Sequence, residues 1–308
     1  MSKISRYIAK KGRHAELVWR YGFNFLPSFN YSLDFSKGDS KFVNSIVERL
    51  NRDGVAVTSI EECSNEILHF SDLEKAVDEI LEDKKNEIRQ MKEKSEKSEA
   101  IGEKTFNVEL LGSPLVFDPQ SIFSSFALQD TLLGIANAYF GMIVKLRYYN
   151  VWYTFATQSK ARESQLWHFD REDNYILKMF LYLNDVDEGA GPFTYAPRTH
   201  RKGSLKKSQP EFFVEEGVQR STDEQMAAVV PEDKWIKGVG KKGTIIFADT
   251  RGFHKGGEAR TGDRLMYTCM FTSPASESKQ LLNFPDDLRL DRLSAKQIAA
   301  LKLNNNRS

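Results

Sequence analysis

A chain of 308 residues with 40% apolar and 28% charged residues can bury a sizeable core, which excludes a disordered polymer. Its 44 basic and 43 acidic residues leave a net charge of +1, so the broad basic face that nucleic-acid binding needs is not expected. No apolar run approaches the length of a membrane span, and two cysteines, Cys63 and Cys269, make no disulfide framework and suit a reducing, cytoplasmic setting.

The first 22 residues carry Lys3, Arg6, Lys10, Lys11, Arg13 and Arg20, with no acid before Glu16. They read as a solvated basic helix. The rival reading, an organelle-targeting peptide, is weakened by scarce serine and the lack of a processing site, and no apolar segment follows that would make a secretory signal. Residues 42–50 have apolar side chains at helical spacing, 51–54 stop that helix, and 55–57 read as a short strand. Residues 71–98 open with an N-cap signal and become dense in Glu and Lys, which predicts one long exposed helix with i,i+4 charge pairs. Residues 1–120 are therefore expected to form a mostly helical region packed on the core.

The texture changes near residue 121. A helix over 128–139 ends at Gly141. After it, short β-branched and aromatic runs at 144–155, 175–183, 192–197, 244–248 and 265–272 are separated by Gly, Asp and Pro. This predicts an antiparallel sandwich or barrel over 121–275 and a mainly β fold with helical additions. A polar insert at 205–240, with Phe212, Phe213 and Trp235, interrupts the pattern and is expected to act as a lid or substrate-facing segment. Residues 276–308 read as a tail with a small helix from Ser294, fraying at 304–306.

Five histidines allow each to be weighed. His14 lies in the basic N-terminal segment, His69 near a helix end and His200 in a turn; all three read as structural or exposed. His168 differs, because it stands in Trp167-His168-Phe169-Asp170. In extended backbone, residues i and i+2 share a face, so an imidazole and a carboxylate point to one place. A second imidazole would complete the 2-His-1-carboxylate triad that holds Fe(II) and leaves other positions open. His254, in a Gly-rich loop after the 244–248 run, is the available candidate. Arg264 opens the next run, where Met266 and Thr268 would share its face. An inward guanidinium needs an anion, and its fork suits a carboxylate.

Three stretches resemble the phytanoyl-CoA dioxygenase-like iron(II)/2-oxoglutarate oxygenases. The first is Trp167-His168-Phe169-Asp170. The second runs from Leu181-Tyr182-Leu183-Asn184-Asp185-Val186 through Gly189-Ala190-Gly191-Pro192-Phe193 to Pro197-Arg198-Thr199-His200-Arg201. The third is Gly243-Thr244-Ile245-Ile246-Phe247 with the loop from Asp249 to Gly257 and then Arg264. The resemblance covers roughly residues 128–275, and the first 120 residues match nothing in it. It implies a double-stranded β-helix, a jelly-roll or cupin-like core flanked by N-terminal helices. It also implies His168, Asp170 and His254 as iron ligands, and Arg264 as partner of the distal carboxylate of 2-oxoglutarate, with Arg260 as runner-up. Asn150, Tyr153 and Thr250 are looser candidates for contacting that cosubstrate. The implied cofactors are Fe(II), 2-oxoglutarate and O2, and the implied partner is a small molecule. The implied activity is hydroxylation or a related oxidation, because halogenating relatives lack the carboxylate that Asp170 supplies. The alternatives are a jelly-roll that binds metal or ligand without turnover, and a Zn hydrolase on the same ligands. The substrate and the oligomeric state are not legible in the sequence.

Overall fold

The computed structural model describes residues 15–33, 40–63, 66–97, 106–215 and 218–303. His14, the basic residues before it and the end at 304–306 lie outside these. Residues 16–23 and 25–33 are helical, and Trp19 is buried with its indole Nε1 donating to Asp173 Oδ1 at 2.7 Å. The described end of the basic segment, residues 15–22, is therefore docked on the core through this aromatic side chain, where a solvated helix was expected. Helix α1 (Lys41–Asp53) starts where the Ser40 side chain accepts from the Val43 amide, and stops at Gly54, whose φ of 83° suits a residue without a Cβ. The chain turns directly into β1 (Val55–Ser59). The expected long helix over 71–98 is two helices, α2 (Phe70–Asp83) and α3 (Lys85–Lys97). The charge pattern hid an amphipathic stripe, since α2 buries Leu73 and Val77. His69 is exposed at the start of α2, beside Asp72 at 3.1 Å.

The next elements are β2 (Asn107–Glu109), β3 (Leu115–Val116), α4 (Ile122–Ala127), α5 (Asp130–Phe140), β4 (Lys145–Thr154), β5 (Leu177–Tyr182) and β6 (Thr194–Tyr195). The insert then forms the hairpin β7 (Phe213–Glu215) and β8 (Val218–Arg220), the short helix α6 (Asp223–Ala227), and β9 (Ile236–Lys237). The chain closes with β10 (Thr244–Asp249), β11 (His254–Lys255), β12 (Arg264–Thr272), β13 (Leu282–Asn283) and α7 (Ala295–Leu301). Helical residues outnumber strand residues among the described residues, so the fold mixes α and β where a mainly β chain was expected. No described helix is long and apolar enough to cross a membrane.

A six-stranded antiparallel sheet runs in the order β1-β10-β5-β12-β4-β2, and a three-stranded sheet in the order β11-β6-β9. The N-terminal region thus supplies both edge strands of the large sheet, β1 and β2, besides its helices. All nine residues of β12 are buried, because both faces of the large sheet are covered. Leu265, Tyr267, Cys269 and Phe271 join Leu177, Met179 and Leu181 of β5 in the core beneath the helices, where Phe126 of α4 meets Tyr267 edge-on at 5.3 Å. The alternate residues face the small sheet: Phe180 and Met266 pack with Phe193 and Tyr195. This inner face carries the site.

His200 is fully buried, and its Nε2 donates to the Asn51 carbonyl at 3.2 Å, tying the 198–203 turn to the end of α1. Burial, more than its charged neighbours, lowers its pKa. A histidine held neutral stabilises the fold above its unfolded pKa of about 6.5 and loses that contribution as pH falls below it. Wild type should therefore lose more thermal stability between pH 7.5 and 5.5 than His200→Gln, which keeps a donor and cannot titrate. Parallel melting curves for the two proteins would remove His200 from the pH response.

Candidate metal centre

The His-x-Asp segment is extended but is not a regular strand. Its neighbour is the irregular 250–254 loop, so pairing is limited to single bridges of Trp167 with Ser221 and His168 with His254. Backbone bonds nevertheless fix all three residues. His168 and His254 exchange amide–carbonyl bonds of 3.0 and 2.9 Å, and the Asp170 amide donates to the Thr250 carbonyl at 2.8 Å. Arg251 Nη1 donates to the Asp170 carbonyl at 2.6 Å. Ligand atoms of His168, Asp170 and His254 lie within 4.8 Å of one another. The i,i+2 geometry thus survives without a continuous ladder.

Both imidazoles are set up as metal ligands. His168 Nδ1 donates to the Leu166 carbonyl at 2.8 Å and His254 Nδ1 to the Gly252 carbonyl at 3.0 Å. A carbonyl can only accept, so in each neutral ring Nε2 keeps its lone pair. Burial, then His254, holds the His168 pKa well below its ordinary value. Burial brings His254 down to about 4, with Asp170 opposing. Both rings are neutral near pH 7, the form that binds metal.

Lys178 was not expected in this place. Its Nζ lies 2.7 Å from Asp170 Oδ2, with the two side chains 12% and 13% exposed. Burial alone would raise the Asp170 pKa; Lys178, then the histidines, hold it well below the usual carboxylate range. Burial would likewise strip the lysine proton, but Asp170, then Tyr148 and Glu172, keep the ammonium charged. The signal was present in the sequence: Lys178 is the one charged residue in the run from Tyr175 to Leu183, and alternation puts it on the face of Phe180 and Tyr182.

The three residues open on a cavity of about 260 Å³ whose wall also includes Tyr148, Asn150, Trp152, Thr154, Lys178, Phe180 and Arg264. Arg264 is 4% exposed. Its Nη1 donates to the carbonyls of Gly191 and, at 2.8 Å, Gly256; Nη2 reaches Thr154 Oγ1 at 3.5 Å. That cradle needs two backbones in close approach. A Cβ on Gly257, at φ 50°, would sit 2.5 Å from the Gly191 carbonyl carbon. No described carboxylate pairs with Arg264, and its Nε has no partner. Burial lowers its pKa, and only Tyr182 opposes.

The looser candidates separate. Asn150 lines the cavity, but its amide holds the 111–112 loop, donating to the Gly112 carbonyl at 3.0 Å and accepting from the Leu111 amide at 3.2 Å. Tyr153 points to the opposite face of β4, where its hydroxyl donates to Asp263 Oδ2 at 3.1 Å. Thr250 is buried outside the cavity wall and meets the site only through its backbone. Arg260 is held by the Thr157 carbonyl at 2.8 Å and by Glu258, away from the cavity. The insert is not a lid over this cavity, because none of its described residues lines it. Trp235 instead packs on Trp167 at 4.7 Å, and Phe212 on Phe253 at 5.9 Å, so the insert buttresses the His-x-Asp segment from behind. Trp167 belongs to that buttress, while Trp152 faces the cavity.

Two packed sheets around two neutral imidazoles and one carboxylate, with a buried arginine in the same wall, define a candidate mononuclear centre of the 2-His-1-carboxylate type. Residues 72–266, more than half of the chain, match the phytanoyl-CoA dioxygenase (PhyH) family. The chain belongs to that family, and the match begins well before residue 120, where no resemblance was expected. No curated protein matches the chain. Among solved structures it is similar to EctD from S. alaskensis, solved with 2-oxoglutarate and 5-hydroxyectoine, at 16% identity over 88% of this chain and 89% of that one, with a TM-score of 0.51. It is also similar to the epimerase SnoN in complex with Fe3+, alpha ketoglutarate and nogalamycin RO, at 16% identity over 76% and 85% of the two chains and a TM-score of 0.48. AviO1 from Streptomyces viridochromogenes Tue57 aligns at 15% identity over 76% and 96%, with a TM-score of 0.46. At such identities the EctD likeness speaks to the fold alone.

Proposed function

We propose that this chain is an Fe(II)- and 2-oxoglutarate-dependent dioxygenase, built on a double-stranded β-helix, that hydroxylates or otherwise oxidises a small organic molecule. The observation that carries the reading is Arg264, a buried guanidinium without a carboxylate partner in the same cavity wall as His168, Asp170 and His254. An unpaired buried cation is costly, and a dicarboxylate cosubstrate answers it.

The donor set fits the metal. Two neutral Nε2 atoms and a carboxylate are a donor set that suits ferrous iron. Bound there, Fe(II) with 2-oxoglutarate and O2 would supply the oxidant, one oxygen atom going to a substrate C–H bond and the other to succinate, with CO2 released. The chain's own residues bind and orient. Asp170 and the histidines would hold the metal, Leu166 and Gly252 fix the ring tautomers, and Arg264 would hold the distal carboxylate. Phe180, Met266 and Phe193 exclude water between the sheets. Two buried, unpaired cysteines suit work in a reducing cytoplasm.

The test is anaerobic. Protein loaded with Fe(II) should develop a weak visible charge-transfer band when 2-oxoglutarate is added, and should release succinate once air is admitted. A protein that binds the metal yet gives neither the band nor succinate is a metal-binding jelly-roll without turnover, and the proposal fails.

A further inference from the structure

The part of the cavity beyond Asp170 holds the partner of that carboxylate, Lys178, and two hydrogen-bond donors that have no partner among the described residues. The Lys178 ammonium meets Asp170 Oδ2 at 2.7 Å, and an ammonium has three donors, so it keeps capacity beyond that pair. The Trp152 indole Nε1 is buried without a partner among the described residues. The Tyr148 hydroxyl, on a buried ring beside Lys178, has no hydrogen-bond partner among the described residues. All three side chains line the cavity that holds the triad. Around them the wall is apolar and flat: Tyr148 and Trp152 stack at 6.2 Å with 19° between their planes, and Met270 and Leu281 complete the patch.

The charges in this part of the cavity can be followed one by one. Arg147 and Glu172 pair at 3.2 Å and cancel. Glu109, near Asn150 Nδ2 at 3.4 Å, is exposed at the mouth. On the reading above, on which this inference rests, a divalent metal and Arg264 are balanced by Asp170 and a dianionic cosubstrate. Asp170 then serves the metal, and Lys178 is left as one uncompensated positive charge at 12% exposure. Burying such a charge is unfavourable unless an anion meets it.

We infer that the substrate is an organic carboxylate. Its acid group is received by Lys178, with Tyr148 and Trp152 donating to the remaining oxygen lone pairs, and its carbon skeleton lies along the Tyr148–Trp152 face toward the triad. One uncompensated charge matches a monoanion, which favours a carboxylate over a phosphate dianion. A substrate anchored this way presents carbons a fixed distance from its acid group to the metal centre, so oxidation falls at one position along the skeleton.

The experiment compares matched pairs: 3-phenylpropanoate and octanoate, each against its primary amide, titrated into anaerobic protein loaded with Fe(II) and 2-oxoglutarate. Binding is read from perturbation of the visible band and from tryptophan fluorescence. The acid should bind about tenfold or more tightly than its amide, as expected of a partly buried charge pair. Lys178→Met should bring the acid-to-amide ratio close to one, and Lys178→Arg should keep a preference for the acid. The ratio is internal to each variant, so a change in metal affinity cancels. Equal binding of acid and amide by wild type, no binding of either acid, or an unchanged ratio in Lys178→Met overturns the inference; the last result would reduce Lys178 to a positioner of Asp170. If no band forms with 2-oxoglutarate at all, it is the dioxygenase reading that fails, and the fluorescence arm still reports on Lys178.

Discussion

Asp170→Ala is expected to abolish metal-dependent turnover and, separately, to destabilise the metal-free protein. The first effect follows from coordination: two imidazoles alone hold a divalent ion weakly, and Asp170 is the carboxylate of the His168, Asp170 and His254 group. The second follows from Lys178. Its ammonium is 2.7 Å from Asp170 and 12% exposed, and removing the carboxylate leaves that charge buried with Tyr148 and the more distant Glu172. Breaking a buried pair from one side costs about 3–5 kcal/mol, while replacing both members can be neutral. The double variant Asp170→Ala/Lys178→Met should therefore regain most of the lost stability and none of the metal affinity. Urea unfolding of the metal-free proteins reads the first quantity and Mn(II) titration the second. If the single and double variants unfold alike, the ion pair contributes nothing measurable; if Asp170→Ala still turns over, the carboxylate ligand lies elsewhere.

What the sequence made legible depended on how local each signal was. His168 and Asp170 share a face through an i,i+2 relation that needs only extended backbone. This is why they converge even though the segment pairs by isolated bridges and not as a strand. His254 was reachable because few histidines compete with it and a Gly-rich loop surrounds it. Arg264 was legible as an inward residue at the start of β12, where it takes its place in the cavity wall with Met266 and Met270. Signals that depend on distant partners were not legible. Tyr153 and Thr250 are polar and near the ligands in sequence, but β4 alternation turns Tyr153 toward Asp263, and the Thr250 side chain is buried off the cavity. The insert carries aromatics that look substrate-facing, yet Trp235 and Phe212 are used against Trp167 and Phe253. β1 was legible as the short strand expected at 55–57, but its edge place in the large sheet was not, and the three-residue β2 leaves little pattern to read. Lys178 gives no signal of its own, because a single lysine in an apolar strand gains meaning only from the metal centre that the strand's inner face lines.

Arg264→Ala should weaken 2-oxoglutarate binding by roughly a factor of 30 or more, corresponding to the 2–5 kcal/mol typical of truncating one side of a buried, hydrogen-bonded charge pair. The loss should appear in the 2-oxoglutarate dependence of succinate release and in the titration of the visible band, with Mn(II) affinity of the free protein little changed. Arg264→Lys keeps a charge but lacks the planar fork that the Gly191 and Gly256 carbonyls orient, so it should fall between alanine and wild type. The unliganded protein provides a second readout. Arg264 is buried there without a carboxylate, so its removal should not cost the stability that Asp170→Ala costs. A methionine at 264, filling the space without the charge, should leave the apo-protein at least as stable as wild type. Arg260 is the internal control: it is fastened to Thr157 and Glu258 outside the cavity, and Arg260→Ala should keep full affinity for the cosubstrate. A result in which Arg260→Ala loses 2-oxoglutarate and Arg264→Ala keeps it would transfer the role to the neighbouring loop. A result in which neither variant loses it would remove the argument that turns a metal centre into a 2-oxoglutarate enzyme.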